Sequence, residues 1–208
     1  MTVNSRIAGA GALAFGILPL AGAILGNPPG GNYSAKDVAD FLAKSHRPAV
    51  FASVYIAILA GVGLLLLLAH LRETIAGERA TLFWGFGIAA VSAWSIGAAI
   101  VVSPATALAF SGGKLATLPS PVAYALSEAG WAVMYGGGGV LLGCALVTYL
   151  AARTGAPVWV RYATGVAALG SLAAIAWFPF FLVYLWAIVM GIRLVASDRS
   201  RVAPVVPA

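Results

Sequence analysis

Charge is what this sequence lacks most. Charged residues make up 9% of its 208 residues, against about 25% in an ordinary soluble domain. Too few ionic side chains remain to cover a water-facing surface, so the chain needs lipid as its solvent. Cysteine is nearly absent too. Cys144 stands alone, which excludes an internal disulfide and any cysteine-based metal site. It sits in an apolar run, where a thiolate is strongly disfavoured. The two histidines, His46 and His70, bracket one apolar run and lie about 36 Å apart at 1.5 Å per helical residue. They cannot share a haem iron or a metal within one subunit. The nucleotide-loop, zinc-protease and nucleophile-elbow patterns are missing. No catalytic residue, metal or cofactor is therefore expected.

What is present is apolar. Hydrophobic residues form 62% of the chain and the formal net charge is +6; mean hydropathy is +0.98. The basic residues stand singly at the ends of apolar runs, which is a topology signal. Nucleic-acid binding would need a basic stripe with interleaved aromatics on a soluble face, and it is not expected.

The fold class that follows is all-α: one polytopic transmembrane bundle over residues 1–208. Uncharged runs place spans at about 7–26, 49–69, 82–102, 131–152, 162–178 and 180–196. The first has the look of a secretory signal, with "LAGA" as a cleavage site, but its length suits a retained span, with Pro19 as a kink. The second has Pro48 at its start, and Ser103–Pro104 reads as the stop of the third. Ser120 and Pro121 read as the cap and first residue of a helix running unbroken through the fourth span. The final apolar run, 162–196, is longer than the roughly 20 residues one crossing needs. It forms either one long tilted helix, giving five spans, or two short spans broken at Pro179.

Charge favours six. With six spans, Arg6, Arg72, Arg79, Arg153, Arg161, Arg193, Arg199 and Arg201 share one side, and Lys36, Lys44, Arg47 and Lys114 share the other. That imbalance puts both termini in the cytoplasm. Between the first two spans, Ser34 and Asp37 form a helix-start pattern. Val38, Phe41 and Leu42 then fall on one face of a short amphipathic helix expected to lie along the external membrane surface. Trp84, Trp131, Trp159, Trp177, Tyr33 and Tyr162 fall near span ends as an interfacial belt. Arg193 is placed to snorkel.

The stretch "WAVMYGGGGVLLGC", residues 131–144, sets four glycines inside a span. In hydrocarbon an unwound backbone has no water to bond, so the helix is expected to survive. The glycines then supply close approach. Gly136, Gly137, Gly138, Gly139 and Gly143, with Gly22 and Gly26 in the first span, are candidate helix-packing or interface residues. Gly139/Gly143 and Gly22/Gly26 each form a G-x-x-x-G pair. Two polar clusters are candidate sites. Glu128, just before the apolar part of the fourth span, has Tyr124 and Tyr135 at helical spacings and Lys114 as a candidate partner. His70 and Glu73 stand at i and i+3.

Four stretches carry a family resemblance: "RIAGAGAL", "NYSAKDVADFLAKS", "LLAHLRE" and "FPFFLVYLWAIVMGIRL". In their order the chain resembles a widespread family of six-span bacterial membrane proteins of unknown function, common in high-GC Gram-positive bacteria. The resemblance implies a separate final span, and brings no activity or catalytic residue with it.

The leading functional expectation is a non-enzymatic plasma-membrane protein. It would act as an accessory or packing subunit of a membrane assembly or as a homo-oligomer, with membrane lipids and a membrane-protein partner. The alternative is a small transporter or lipophile-binding protein, which predicts a midplane cavity reached by Glu128 or the glycine run.

Overall fold

The computed structural model describes residues 3–176 and 178–199; Trp177 and Arg201, both invoked above, lie outside the described residues. Every regular element among those described is helical. The order is α1 (Ser5–Gly26), α2 (Ala35–Leu42), α3 (Arg47–Arg72), α4 (Glu78–Phe110), α5 (Ser120–Trp131), a π-helical segment Ala132–Gly137, α6 (Gly138–Ala152), α7 (Val158–Leu172) and α8 (Phe181–Arg199). Five helices are long and apolar enough to cross a membrane, one fewer than the six expected: α1, α3, α4, the continuous α5–α6 and Phe178–Ala196; the expected span at 162–178 is not among them. The chain is an all-α membrane bundle. Its exterior agrees, with Ile24 83%, Ile175 80% and Leu169 70% exposed; in water such a surface would be strongly unfavourable.

Neighbouring helices run antiparallel. Gly11 meets Gly63 and Gly22 meets Ser53 between α1 and α3; Gly61 meets Trp94 and Gly87 meets Leu68 between α3 and α4. Gly9 meets Val195 and Gly16 meets Ile188 between α1 and α8. The start of α1, the turns after α3 and α6, and the end of α8 therefore share one end of the bundle, here the terminal end. Residues 27–46 and 111–119 occupy the other, the loop end.

The long final run is broken, as Pro179 predicts. The break is broader than one kink: two 3-10 turns, Ala174–Ala176 and Phe178–Phe180, separate α7 from α8. The first limb starts and ends earlier than the expected 162–178, at Val158 and Leu172. Its 15 residues span about 22 Å, short of a hydrocarbon core of about 30 Å. Gly170 lets the backbone of Pro179 press against α7. By the pairing of Gly16 with Tyr184 and Ile188, the tip of this hairpin stops below the loop end of α1 by roughly one to two turns.

The expected end of the third span at Val102 is overturned. α4 continues through Pro104 to Phe110. A mid-helix proline leaves the carbonyl four residues earlier without its donor. Here that carbonyl belongs to Ile100, and the Ser103 hydroxyl donates to it at 2.8 Å. The dipeptide that reads as a stop supplies its own repair.

α2 forms with Ser34 as its cap, the hydroxyl accepting from Asp37 N at 3.3 Å. Val38, Phe41 and Leu42 are its buried residues, as the pattern predicts. Their cover differs from the expected headgroup layer: they pack with Val50, Val102, Ala105, Leu108 and Ala123, closing the loop end of α3, α4 and α5. On the solvent side, Asp40 hydrogen-bonds Lys36 at 2.9 Å and raises its pKa above the ordinary lysine value.

The fourth span is continuous, and its centre is not an α-helix. Over Ala132–Gly137 the bonds widen, and the Gly138 N–H reaches back to Val133 O. In a regular helix each four-residue step overshoots a full turn by about 40°. A π turn takes up that drift. Gly130, Met134 and Gly138 thereby all face α4, against Gly97, Val101 and Ala90.

Candidate functional site

The short hairpin leaves a space. Between the hairpin tip and the loop end lies a chamber of about 230 Å³. Its walls are Pro19, Leu20 and Ala23 of α1, Trp131 and Tyr135 of the fourth span, and Phe180, Phe181 and Tyr184 of the hairpin; Asn27, Pro28 and Gly30 roof it. A smaller lobe of about 40 Å³ continues behind it toward Ser53, Trp94 and Met134. Of its lining residues, Leu20 at 37% and Phe181 at 46% exposure reach the apolar exterior, and Asn27 and Gly30 are exposed at the loop end. No charged side chain lines the chamber among the described residues.

Aromatic rings fix its floor. Trp131 and Tyr135 stack with centroids 5.5 Å apart, as i and i+4 on one helical face can. Phe180 stacks on Trp94 at 5.8 Å and meets Tyr135 and Tyr184 edge-on at 5.1 and 5.2 Å. The Trp94 indole donates to Ala57 O at 2.9 Å. The hydroxyls of Tyr135 and Tyr184 meet at 3.1 Å. Buried aromatics with their polar tips bonded in this way form a preset surface.

The roof is held from below. Asn27, in the left-handed conformation at φ 39°, ends α1 and turns the chain. Glu128 Oε1 accepts from Gly31 N at 2.8 Å, and the Tyr124 hydroxyl donates to Gly31 O. The Trp131 indole donates to Pro29 O at 3.1 Å, and His46 Nε2 bonds Gly26 O at 3.0 Å. The structure thus brings Glu128 and Tyr124 together, on a backbone segment. Tyr135 lies apart from them, in the chamber wall. Among the described residues Lys114 makes no ion pair with Glu128.

His70 and Glu73 also converge on backbone. Glu73 Oε1 accepts from Val3 N at 2.7 Å, and His70 Nδ1 bonds Val3 O at 3.0 Å. Together they clamp Val3, which precedes the Asn4 cap of α1, at the terminal end. Among the described residues no three His, Cys, Asp or Glu side chains cluster as metal ligands.

Five of the seven candidate glycines lie against neighbouring helices of the same chain. A Cβ on Gly22 would stand 3.2 Å from Ser53 O, and one on Gly26 would collide with the Ser53 side chain. On Gly138 it would stand 3.1 Å from Ala90 O, on Gly139 2.5 Å from Ala174 Cβ, and on Gly143 2.7 Å from Leu172 Cγ. Gly136 and Gly137 face open space. Sequence reasoning missed the closest crossings, which pair glycines on different helices: Gly97 with Gly130, Gly11 with Gly63 and Gly9 with Gly191. It also missed Phe180 and Tyr184 as chamber residues. Their one signal was the aromatic "WFPFF" around the helix-breaking proline.

The architecture and the chamber define a polytopic α-helical membrane protein with an aromatic-walled recess, uncharged among the described residues, whose wall residues Leu20 and Phe181 reach the apolar exterior. No family model, curated protein or solved structure matches the chain.

Proposed function

We propose that this protein binds a lipophilic molecule in the chamber, drawn sideways from the membrane, and that it works by binding rather than catalysis. The observation that carries this reading is a recess without charged residues among its described lining, two of whose wall residues, Leu20 and Phe181, are exposed on the apolar exterior. Ligand sites are concave, mostly apolar and preformed, with a few placed polar groups. The Tyr135–Tyr184 hydroxyl pair is such a group. The distribution of basic residues and the family resemblance support a bacterial plasma membrane with both ends of the chain cytoplasmic. The chamber then lies toward the outer leaflet.

The test is extraction of the full chain from its native membrane in mild detergent, followed by mass spectrometry of what accompanies it. A lipophile should accompany the wild-type chain at about one per chain and be lost from Leu20→Trp, which adds bulk to that exposed wall. A wild-type chain that carries no lipophile in excess of the Leu20→Trp chain refutes the reading.

A second reading, an accessory subunit or homo-oligomer, is favoured by Gly136 and Gly137, whose backbone faces open space on the fourth span. A native mass above that of one chain, reduced by Gly137→Leu, is its expected signature.

A further inference from the structure

We propose that the occupant is a neutral lipid with a flat, carbonyl-bearing ring as its head, of the quinone class, with its tail left in the bilayer. The inference rests on the chamber being a lipophile site and identifies what that site selects.

Charge removes the commonest membrane lipids. A phosphate head brought into this recess would lose its hydration with no lysine or arginine among the described lining residues to replace it. Burying an unpaired charge is strongly unfavourable. Size removes a wholly enclosed ligand. About 230 Å³ falls below the 300–1,000 Å³ or so of pockets that enclose a drug-sized molecule. A single or fused ring fits, and a long chain does not. The wall at Leu20, Ala23 and Phe181 is exposed on the apolar exterior, and a tail would leave there into lipid.

Shape and polarity then choose between a ring and the end of an aliphatic chain. Five of the eleven lining residues are aromatic, held by mutual stacking and edge contacts. Such a wall offers a flat π-system offset-stacked and edge-to-face partners, which an aliphatic chain cannot use. The Tyr184 hydroxyl meets Tyr135, and a phenol can donate and accept at once. An aliphatic chain gives this pair nothing. A ring carbonyl accepts from it.

The test uses the purified full chain in nanodiscs of phosphatidylethanolamine and phosphatidylglycerol. The probe is tritiated 2-methyl-1,4-naphthoquinone carrying one isoprene unit; the comparator is tritiated phytol, which has a tail and no ring. The quinone should bind saturably, at about one per chain, and Leu20→Trp should abolish binding. Tyr184→Phe should weaken it about tenfold, the loss of one hydrogen bond to a ligand, with Tyr135→Phe as the parallel variant should Tyr184→Phe fail to elute monodisperse. Phytol should not saturate.

Saturable phytol binding that Leu20→Trp removes and Tyr184→Phe leaves unchanged, with no saturable quinone binding, would overturn the ring proposal while the lipophile site stands. Quinone binding unaffected by both tyrosine variants would overturn it as well. Saturation by neither probe overturns the ring proposal, and the absence of any native lipophile in the extraction above is what removes the site itself.

Discussion

Ser171 Oγ donates a 2.7 Å hydrogen bond to the carbonyl of Gly139, linking α7 to the fourth span. Both partners are buried and Gly139 has no room for a Cβ, so the contact joins packing and polarity at one point. Gly139→Leu should overpack it and lower stability by about 1–3 kcal/mol. Ser171→Ala should cost about 0.6 kcal/mol, the average for hydrogen bonds between membrane helices. Unfolding by dodecyl sulfate in mixed micelles measures both. Gly137→Ala is the internal control. It meets nothing within 4 Å, and its effect should be near zero or stabilising.

Ser103 and Pro104 make a second local test. If the hydroxyl replaces the donor that proline removes, the two residues are energetically coupled. Ser103→Ala should cost about 1 kcal/mol, since it leaves the Ile100 carbonyl without a partner. On a Pro104→Ala background the backbone donor returns, and the same serine change should cost close to nothing. A double-mutant cycle on the same micellar unfolding assay reads the coupling directly. Additive losses would mean the serine matters for another reason.

Much of this architecture is legible in the chain because lipid leaves a helix few alternatives. The apolar runs gave the five helices long enough to cross but also counted as a sixth the limb that folds as the 15-residue α7; Pro179 gave the break in the last run, and Val38, Phe41 and Leu42 the buried face of α2. What stayed hidden depends on partners far apart in sequence. Gly22/Gly26 and Gly139/Gly143 announce themselves by spacing within one helix. Gly97 and Gly130, or Gly9 and Gly191, become a pair only when two helices cross. Tyr135 and Tyr184 lie 49 residues apart, and no periodicity links them. Ser103–Pro104 misled for a local reason: a breaker and its remedy stand side by side, and the breaker is the louder signal. The π turn was masked in the same way, because the four glycines advertise close packing while two of them, Gly136 and Gly137, instead occupy the widened turn.

The alternation of helices makes a topological prediction. On a Cys144→Ala background, single cysteines at Ala76 and Thr154 mark the terminal end, and cysteines at Lys44 and Lys114 mark the loop end; all four positions are exposed. A membrane-impermeant maleimide applied to intact cells should label the Lys44 and Lys114 variants, and applied to inverted vesicles it should label the Ala76 and Thr154 variants. Labelling of all four from one face would be incompatible with the antiparallel bundle, and the reversed pattern would invert the proposed orientation while leaving the fold intact.

Glu128 and Tyr124 hold both backbone groups of Gly31, and Trp131 holds the carbonyl of Pro29. The roof over the chamber therefore depends on side chains of α5 rather than on backbone ladders of its own. Segments fixed by few bonds open locally at low free energy. Removing the carboxylate takes away the protein partner of the Gly31 N–H and leaves it to water. A hydrogen bond to a charged group contributes about 1.5–3 kcal/mol, so Glu128→Ala should speed amide exchange across residues 28–33 by at least about tenfold. Tyr124→Phe should do so by less, because the bond it removes is between neutral groups, contributing about 0.5–1.5 kcal/mol. Glu128→Gln keeps an acceptor oxygen and should fall between wild type and alanine. Hydrogen exchange with peptide-level mass spectrometry in nanodiscs reads all three, with the 53–66 stretch of α3 as an unaffected reference. If the alanine variant exchanged at the wild-type rate through residues 28–33, the clamp would not be what positions the roof. The chamber's upper wall would then have to be held by the Asn27–Pro28–Pro29 turn together with the Trp131 bond to Pro29 O and the Tyr124 bond to Gly31 O.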